Sequence, residues 1–271
     1  MRTDLLSVDT LRPVVLQKLP NWIDNIILAG YRGSVAHGLY QEDTSKDVDV
    51  FCIFVHSKTY YLGLEGFLDR QTHFNTNGED LDINCDDLRK FLHECARGNP
   101  NAHALLWIEP AQYWQISRAG EILLSSRDSL ISRKIIENIL AHGRSTQRKM
   151  NVFSGFDQPG TEEVISFVEN ISVNLKKDII HTLRLLFTAE HLLQTREYRP
   201  RVTDEQAALL FRIEQGNSVS GAEINRMIDS LINKVTAGLN KCRLPVEYDI
   251  EEVNNLLLKV LDVAWRQHGK A

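Results

Sequence analysis

The sequence predicts an α+β protein, with a small β-sheet and flanking helices in its first half and helices alone in its second. Short apolar runs rich in β-branched residues predict neighbouring strands over residues 26–30 and 48–55. From about residue 118 onward the pattern is almost wholly helical. We therefore expect an α+β domain over residues 1–117 and an all-α C-terminal helical domain over residues 118–271.

Periodicity and turn residues predict the remaining elements of the first half. An amphipathic pattern predicts a first helix over residues 4–19. After the second strand we expect a short helix within residues 56–64, a strand over 67–74 and a turn at 75–78. A further strand is expected over residues 80–84, because apolar and polar side chains alternate there.

Capping residues predict where the helices begin. Asp86 or Asp87 is expected to cap a helix that ends near residues 98–100, and a second helix is expected over residues 102–108. In the second half, capping sequences predict helix starts at residues 161–163, 203–205 and 220–223.

Composition indicates an ordinary globular protein. The chain has 271 residues, of which 43% are hydrophobic and 25% are charged, so it can bury a large core without a metal or a disulfide. Its four cysteines lack metal-ligand spacing, and we expect Cys52 and Cys85, in strand-like apolar segments, to be reduced core residues. Because no secretory signal and no run of about 18 apolar residues is found, we expect a cytoplasmic protein without a membrane partner.

The charge balance bears on nucleic-acid binding. A formal net charge of −5 argues against broad, charge-driven binding of nucleic acid. A local basic strip nevertheless contains Arg127, Arg133, Lys134, Arg144, Arg148 and Lys149. Such a strip is most often a solvated helix face, and otherwise it contacts nucleic acid.

Two carboxylates stand at the beginning of the second strand. Asp47 and Asp49 alternate with Val48 and Val50, so both carboxylates point to one face of the strand. Carboxylates this close repel each other and raise each other's pKa unless a cation lies between them. Hard divalent ions prefer oxygen ligands, and Mg²⁺ commonly combines one or two carboxylates with substrate phosphates.

Gly33 and Ser34 follow the first strand and have the features of a phosphate-binding turn. Gly33 permits close approach of the backbone to an anion, and a helix start near Ser34 offers exposed N–H groups. In this order, with Asp-x-Asp on the next apolar strand, the combination resembles the DNA polymerase β-like nucleotidyltransferase superfamily. The resemblance implies that Gly33 and Ser34 bind the β- and γ-phosphates of a nucleoside triphosphate.

The same resemblance implies a small mixed β-sheet core that transfers nucleotides with two Mg²⁺ ions, or with Mn²⁺. Such a site needs a third carboxylate on a neighbouring strand, where it binds metal and accepts the proton of the attacking hydroxyl. Asp82 is the first choice, and Asp80, nearer the turn, is the alternative. The catalytic and metal-binding residues implied are Asp47, Asp49 and Asp82.

Longer motifs resemble a narrower group, the predicted nucleotidyltransferases encoded beside RNA ligases in bacteria and phages. The similar segments, within residues 28–110, are GYRGSVAHGLY, YYLGLEGF, DINCDDLRKFL and GNPNAHALLW. Members of this group often carry Ser directly before the first Asp of the pair, where this chain has Lys46. The association with RNA ligases implies that the acceptor is an RNA end or another nucleic-acid end.

Basic residues of the helical half are candidates for substrate binding. Lys177, His181 and Arg184 share one helix face at positions i, i+4 and i+7. This K-x-x-x-H-x-x-R pattern is similar to the same group, which implies that the helical domain closes the cleft and binds the triphosphate or the acceptor. Lys149 is a further candidate on the preceding helix. The alternative is an ordinary surface helix with solvated Lys and Arg side chains.

We therefore expect a metal-dependent nucleotidyltransferase that moves an NMP from an NTP, ATP among them, to an acceptor hydroxyl and releases pyrophosphate. Spacing does not select the nucleotide or the oligomeric state. The favoured acceptor is an RNA or other nucleic-acid end, with a protein hydroxyl or a short oligonucleotide signal as alternatives. A non-catalytic nucleotide-binding regulatory module, from another class of function, would bind nucleotide and release no pyrophosphate.

Overall fold

The structure is a computed structural model that describes residues 7–23, 25–41, 47–64, 71–78, 80–154, 173–215 and 219–267. The chain divides into two compact units. The first comprises Met1–Ser132 and Pro245–Ala271, and the second comprises Arg133–Leu244. The first unit contains the β-sheet, and the described elements of the second are helices.

The described elements of the first unit are, in chain order, α1 (Val8–Lys18), β1 (Ile26–Tyr31), α2 (Gly33–His37), β2 (Val48–Phe54), α3 (Lys58–Leu62), β3 (His73–Asn77), β4 (Leu81–Asp87), α4 (Leu88–Ala96), α5 (Pro100–Leu106), a 3-10 turn (Pro110–Gln112), β5 (Tyr113–Ile116), α6 (Arg118–Ser125), a second 3-10 turn (Arg127–Leu130) and, at the end of the chain, α11 (Ile250–Gln267). Those of the second unit are α7 (Arg133–Ser154), α8 (Val173–Thr195), α9 (Asp204–Gln215) and α10 (Gly221–Lys241).

The sheet is mixed and has the strand order β3-β4-β2-β1-β5. β1 is antiparallel to β2 and to β5, β3 is antiparallel to β4, and β2 and β4 are parallel. Parallel strands need a crossover, and the chain between β2 and β4 includes α3 and β3. This architecture confirms the predicted α+β fold, a small mixed sheet with flanking helices and a helical region after it.

Strand alternation divides the apolar side chains of the sheet between two layers. The layer against α1 buries Leu11, Val15, Val48, Val50 and Ile83, among others. The layer against α4, α5, α6 and α11 buries Phe51, Ile53, Phe91, Leu123 and Val260, among others. Because helices cover both faces, the central strand β2 is apolar almost throughout.

The turn predicted at residues 75–78 is wrong, because β3 continues through residue 77 and pairs with β4. The chain reverses later, where the Gly78 N–H donates to the Leu81 carbonyl over 3.2 Å. The strand predicted over 67–74 overlaps β3 only at its end, and part of that prediction lies outside the described residues.

Capping residues set the boundaries of the helices after β4. Asp87, one of the two predicted candidates, is the N-cap of α4 and accepts hydrogen bonds from the backbone N–H groups of Arg89 and Lys90. α5 begins at Pro100, earlier than predicted, because Asn99 caps it through its side chain. β5 is not predicted from the sequence, since its four residues are too few to establish a period.

The predicted domain boundary at residue 117 differs from the observed division. α6 packs on β1, where the Ser117 N–H donates to the Ile27 carbonyl over 2.9 Å. Gly120 permits this approach, since a Cβ there would lie 3.2 Å from the Ile27 carbonyl carbon. The last helix, α11, packs against α4 and α6. Both α6 and α11 therefore belong to the unit that contains the sheet.

In the second unit, α8 packs against α7, α9 and α10. Two predicted helix starts are confirmed by side-chain caps. Thr203 accepts a hydrogen bond from the Gln206 N–H before α9, and Ser220 accepts one from the Glu223 N–H at the start of α10. The start predicted at residues 161–163 lies outside the described residues.

Candidate active site

Asp49 and Asp82 lie side by side on the two parallel strands. In the register of β2 and β4, Asp49 is the direct partner of Asp82. The preceding residues, Val48 and Leu81, are buried in the α1 layer, so both carboxylates project from the opposite face of the sheet. Neighbouring strands are about 4.8 Å apart, a spacing at which one cation can contact both carboxylates.

Asp47 adds a third carboxylate just before β2. Its negative charge acts on the Asp82 carboxylate. Burial raises the pKa of Asp82 above its ordinary value, and the negative charge of Asp47 raises it further. The Gly78 N–H, 3.0 Å from Oδ1 of Asp82, opposes this rise. Neighbouring carboxylates repel each other unless a cation lies between them, so the repulsion of Asp82 by Asp47 favours a bound cation.

The turn between β1 and α2 lies against Asp49. The Arg32 N–H donates to the Asp49 carbonyl over 2.8 Å, and Gly33 then turns the chain with a φ of 58°. A Cβ on Gly33 would lie 2.8 Å from the Asp49 carboxyl carbon. A side chain at this position would therefore meet the carboxylate as well as strain the backbone.

Ser34 is the second residue of α2 and is partly exposed. No side chain of the described residues caps this helix, and Ser34 lies inside it rather than at the N-cap. The turn is anchored from β5, since Nε2 of Gln112 donates to the Val35 carbonyl over 2.8 Å. His37 is buried at the end of the same turn.

Arg32 is not among the site residues predicted from the sequence, although it lies close to the carboxylates described above. Its guanidinium carbon is 5.7 Å from the centroid of the Phe51 ring. Its positive charge also lowers the pKa of Asp82, so the charge acts on β4 as well as on β2. The feature of the sequence that could have indicated Arg32 is its position directly before Gly33 and Ser34.

The carboxylates of the described residues are ligands of the kind that a hard cation prefers, but they are not arranged as a complete coordination site. Asp80, the alternative third carboxylate, precedes β4, and the register places Asp82 opposite Asp49. Within the described ranges, no group of three or more His, Cys, Asp or Glu side chains is arranged to hold a metal ion. The donors are nevertheless all carboxylate oxygens, and the repulsion between Asp47 and Asp82 is what a divalent cation relieves.

Three of the predicted substrate-binding residues form a polar cluster between α7 and α8. Nζ of Lys149 is 2.6 Å from Oδ2 of Asp178, and Nη2 of Arg184 donates to Nδ1 of His181 over 2.9 Å. The ring of His142 packs edge-on against His181, with centroids 5.1 Å apart. Arg184 is buried, so its hydrogen bonding is part of the helix packing.

The other basic residues include one exposed lysine and two arginines that bond to backbone carbonyls. Lys177 is exposed on α8. Within the basic strip, Arg127 donates to the Leu106 carbonyl over 2.7 Å, and Arg133 donates to two carbonyls after the end of α10. These two arginines belong to different units, and each donates to backbone carbonyls of its own unit. Contact of the basic strip with nucleic acid stays a prediction.

Comparison with known proteins identifies the family. No helix among the described residues is long and apolar enough to cross a membrane. No curated protein matches the chain. A family model, RlaP, described as the RNA repair pathway DNA polymerase beta family, matches residues 9–259, which include every predicted site residue. The chain therefore belongs to this RNA repair pathway family of the DNA polymerase beta type.

Proposed function

We propose that this protein is a metal-dependent nucleotidyltransferase that transfers an NMP from an NTP to a hydroxyl at an RNA end. Its family supports nucleotide transfer in RNA repair. The observation that carries the proposal is the pairing of Asp49 with Asp82 in the register of β2 and β4. The charge of Asp47, which acts on Asp82, and the Gly33 turn against Asp49 complete the arrangement.

The three carboxylates are the proposed metal ligands. Asp47, Asp49 and Asp82 would hold Mg²⁺ or Mn²⁺, which when bound supplies positive charge for the phosphates and lowers the pKa of the acceptor hydroxyl. Ser34 and the backbone of Gly33 would bind the β- and γ-phosphates, since this turn lies directly against Asp49.

The bond changes define what the residues do. The oxygen of the acceptor hydroxyl forms a bond to the α-phosphorus while the bond from that phosphorus to the bridging oxygen breaks. Pyrophosphate leaves with the electron pair of the broken bond. The hydroxyl proton passes to a carboxylate, and Asp82 is the proposed acceptor because it lies on the strand next to Asp49.

The choice of RNA as acceptor depends on the RNA repair assignment of the family. A net charge of −5 gives little general attraction for a long polyanion, so we propose recognition of an end rather than of an extended tract. Transfer to a protein hydroxyl, or synthesis of a short oligonucleotide signal, would proceed without added RNA. The acceptor therefore separates these alternatives.

The test measures pyrophosphate release from the purified protein with Mg²⁺ or Mn²⁺ and each of the common NTPs and dNTPs. Two oligoribonucleotides are compared, one ending in a 3′-hydroxyl and an otherwise identical one ending in a 3′-deoxynucleotide. We expect release only with the 3′-hydroxyl end, matched by an RNA product longer by one nucleotide. Pyrophosphate release that does not depend on added RNA, together with attachment of the nucleotide to the protein, would instead support protein nucleotidylation.

Variants connect the activity to the carboxylates. Asp47→Ala/Asp49→Ala should lower the rate by about 10²–10³-fold or more, because charge stabilisation is most of the catalysis. The control is Asp262→Ala, which removes an exposed surface carboxylate paired with Arg266 and should keep full activity. A double variant as active as the control would overturn the proposal. Nucleotide binding without pyrophosphate release under all conditions would support the regulatory module.

A further inference from the structure

The backbone position of Arg32 is fixed by β2, the strand that carries Asp49. It lies between β1 and α2 with extended torsions, φ −131° and ψ −176°. Its N–H donates to the Asp49 carbonyl over 2.8 Å, which continues the pairing of β1 with β2 by one residue. The Cα of Arg32 is therefore held beside the strand that carries Asp49, whatever its side chain contacts.

The side chain of Arg32 lies on the face of the sheet that carries the carboxylates. Its guanidinium carbon is 5.7 Å from the centroid of the Phe51 ring. Phe51 and Asp49 are two residues apart on β2 and so project to the same face. Stacking on an aromatic ring orients the planar guanidinium and leaves its N–H edge available to a second partner.

The guanidinium of Arg32 lies on the same face of the sheet as Phe51 and Asp49. No carboxylate of the described residues forms an ion pair with Arg32. On the face of the sheet that carries Asp49, the guanidinium N–H groups of Arg32 are therefore not engaged by a carboxylate of the described residues.

We infer that Arg32 is a phosphate-binding residue of the active site, which binds the β- and γ-phosphates of the nucleotide and stabilises the departing pyrophosphate. This inference depends on the proposed function. Pyrophosphate gains negative charge as the bond to the α-phosphorus breaks, and a guanidinium donates two parallel hydrogen bonds to phosphate oxygens. Arg32 would thus supply, from the protein, part of the positive charge that the leaving group requires.

Binding of Mg²⁺-pyrophosphate, measured by titration calorimetry, tests the inference without turnover and without knowledge of the base. The wild type should bind this probe. Arg32→Ala should weaken the affinity by about tenfold to a hundredfold, the usual size of a lost hydrogen bond to a charged group. Arg32→Lys should weaken it less, because the charge remains while the two-pronged contact is lost. Arg12→Ala, which removes an exposed arginine of α1, should bind as the wild type does.

A second measurement separates phosphate binding from a structural role. Added guanidinium, at millimolar concentrations that leave the wild type folded, should partly restore pyrophosphate binding to Arg32→Ala. A residue that only packs on Phe51 would instead lower the melting temperature and show no such rescue, and that result would overturn the inference. Affinity of Arg32→Ala equal to that of Arg12→Ala would also overturn it.

The same measurements distinguish this inference from the proposed function. If the wild type binds pyrophosphate through Arg32 but never releases it from any nucleotide, the catalytic proposal fails while the inference stands. If the wild type transfers nucleotides and Arg32→Ala binds pyrophosphate normally, the inference alone fails. Absence of pyrophosphate binding in the wild type would contradict both.

Discussion

One carboxyl group of the proposed active site is subject to opposing effects. Burial and the charge of Asp47 raise the pKa of Asp82, whereas the Gly78 N–H and the charge of Arg32 lower it. A divalent cation would stabilise the ionised form of both carboxylates and so remove the repulsion between them. The repulsion between Asp47 and Asp82, which is unfavourable in the protein alone, would therefore favour the binding of a cation between them.

Replacement of Gly33 by Ala should lower the rate of pyrophosphate release about a hundredfold, the size of effect expected when a reacting group is misplaced by about 1 Å. The added Cβ would meet the carboxylate of Asp49 and displace it from its position beside Asp82. A φ of 58° also costs a residue with a side chain about 1–2 kcal/mol, so the free energy of unfolding should fall by a similar amount. Steady-state kinetics and urea denaturation measure the two effects.

Gly98→Ala is the matched control for backbone strain. Gly98 has a φ of 73° where the chain leaves α4, so it carries the same conformational cost away from the carboxylates. We expect this variant to lose stability and to keep its activity. If both variants lose activity equally, the contact between Gly33 and Asp49 does not position the carboxylate for catalysis.

At the scale of elements, one buried carboxylate joins α3, β4 and α4. Oδ1 of Asp87 accepts hydrogen bonds from the backbone N–H groups of Arg89, at 2.9 Å, and Lys90, at 3.4 Å. Oδ2 accepts a hydrogen bond from the Tyr61 hydroxyl of α3. Burial raises the pKa of Asp87, and these hydrogen bonds oppose the rise. The junction fixes where β4 ends, and β4 carries Asp82.

Asp87→Ala should therefore lower the free energy of unfolding by about 3 kcal/mol. About 1 kcal/mol is the usual cost of a lost N-cap, and about 2 kcal/mol follows from leaving the partly buried Tyr61 hydroxyl without its acceptor. Asp249→Ala removes a cap of α11 that is exposed and bonds only backbone N–H groups, so it should cost about 1 kcal/mol. Urea denaturation compares the two variants, and equal costs would contradict a stabilising contribution from the Tyr61 hydrogen bond.

Elements were predictable where the alternation of side chains alone decides them. The strand at residues 48–55 and the shared face of Asp47 and Asp49 follow from a period of two, and Asp82 follows from the same rule. The parallel pairing that sets Asp49 against Asp82 does not follow, because register depends on contacts between distant segments. Arg32 was not predicted for a related reason, since its reach depends on a turn whose geometry no period describes.

At the scale of the whole molecule, the last helix of the chain completes the core of the first unit. α11 returns to the first unit and packs on α4 and α6, so the second unit is an insertion between Ser132 and Pro245. Helical periodicity predicts that residues 250–267 form a helix, but it cannot indicate which unit the helix joins. A boundary drawn at residue 117, where the helical pattern begins, consequently separates α6 and α11 from the sheet they cover.

This arrangement predicts how fragments of the chain will fold. A fragment ending at Ser132 lacks α11 and exposes the core beneath it, whose partners on α11 are Val253, Leu256, Val260, Leu261 and Ala264. Each buried aliphatic side chain contributes about 1.5–3 kcal/mol, so the loss is comparable with the net stability of a domain, about 5–15 kcal/mol. We expect this fragment to be unfolded or aggregated, as judged by circular dichroism and gel filtration.

A peptide of residues 245–271, co-expressed with the fragment ending at Ser132, should restore a folded complex. A fragment of residues 133–244 should be helical by itself, because its described helices form their own compact unit. The matched control is the same peptide with Leu256→Asp and Val260→Asp, which places two charges in the buried face of α11 and should fail to restore folding. A fragment ending at Ser132 that folds without the peptide would show that α11 is dispensable to the sheet and would contradict the assignment of α11 to the first unit.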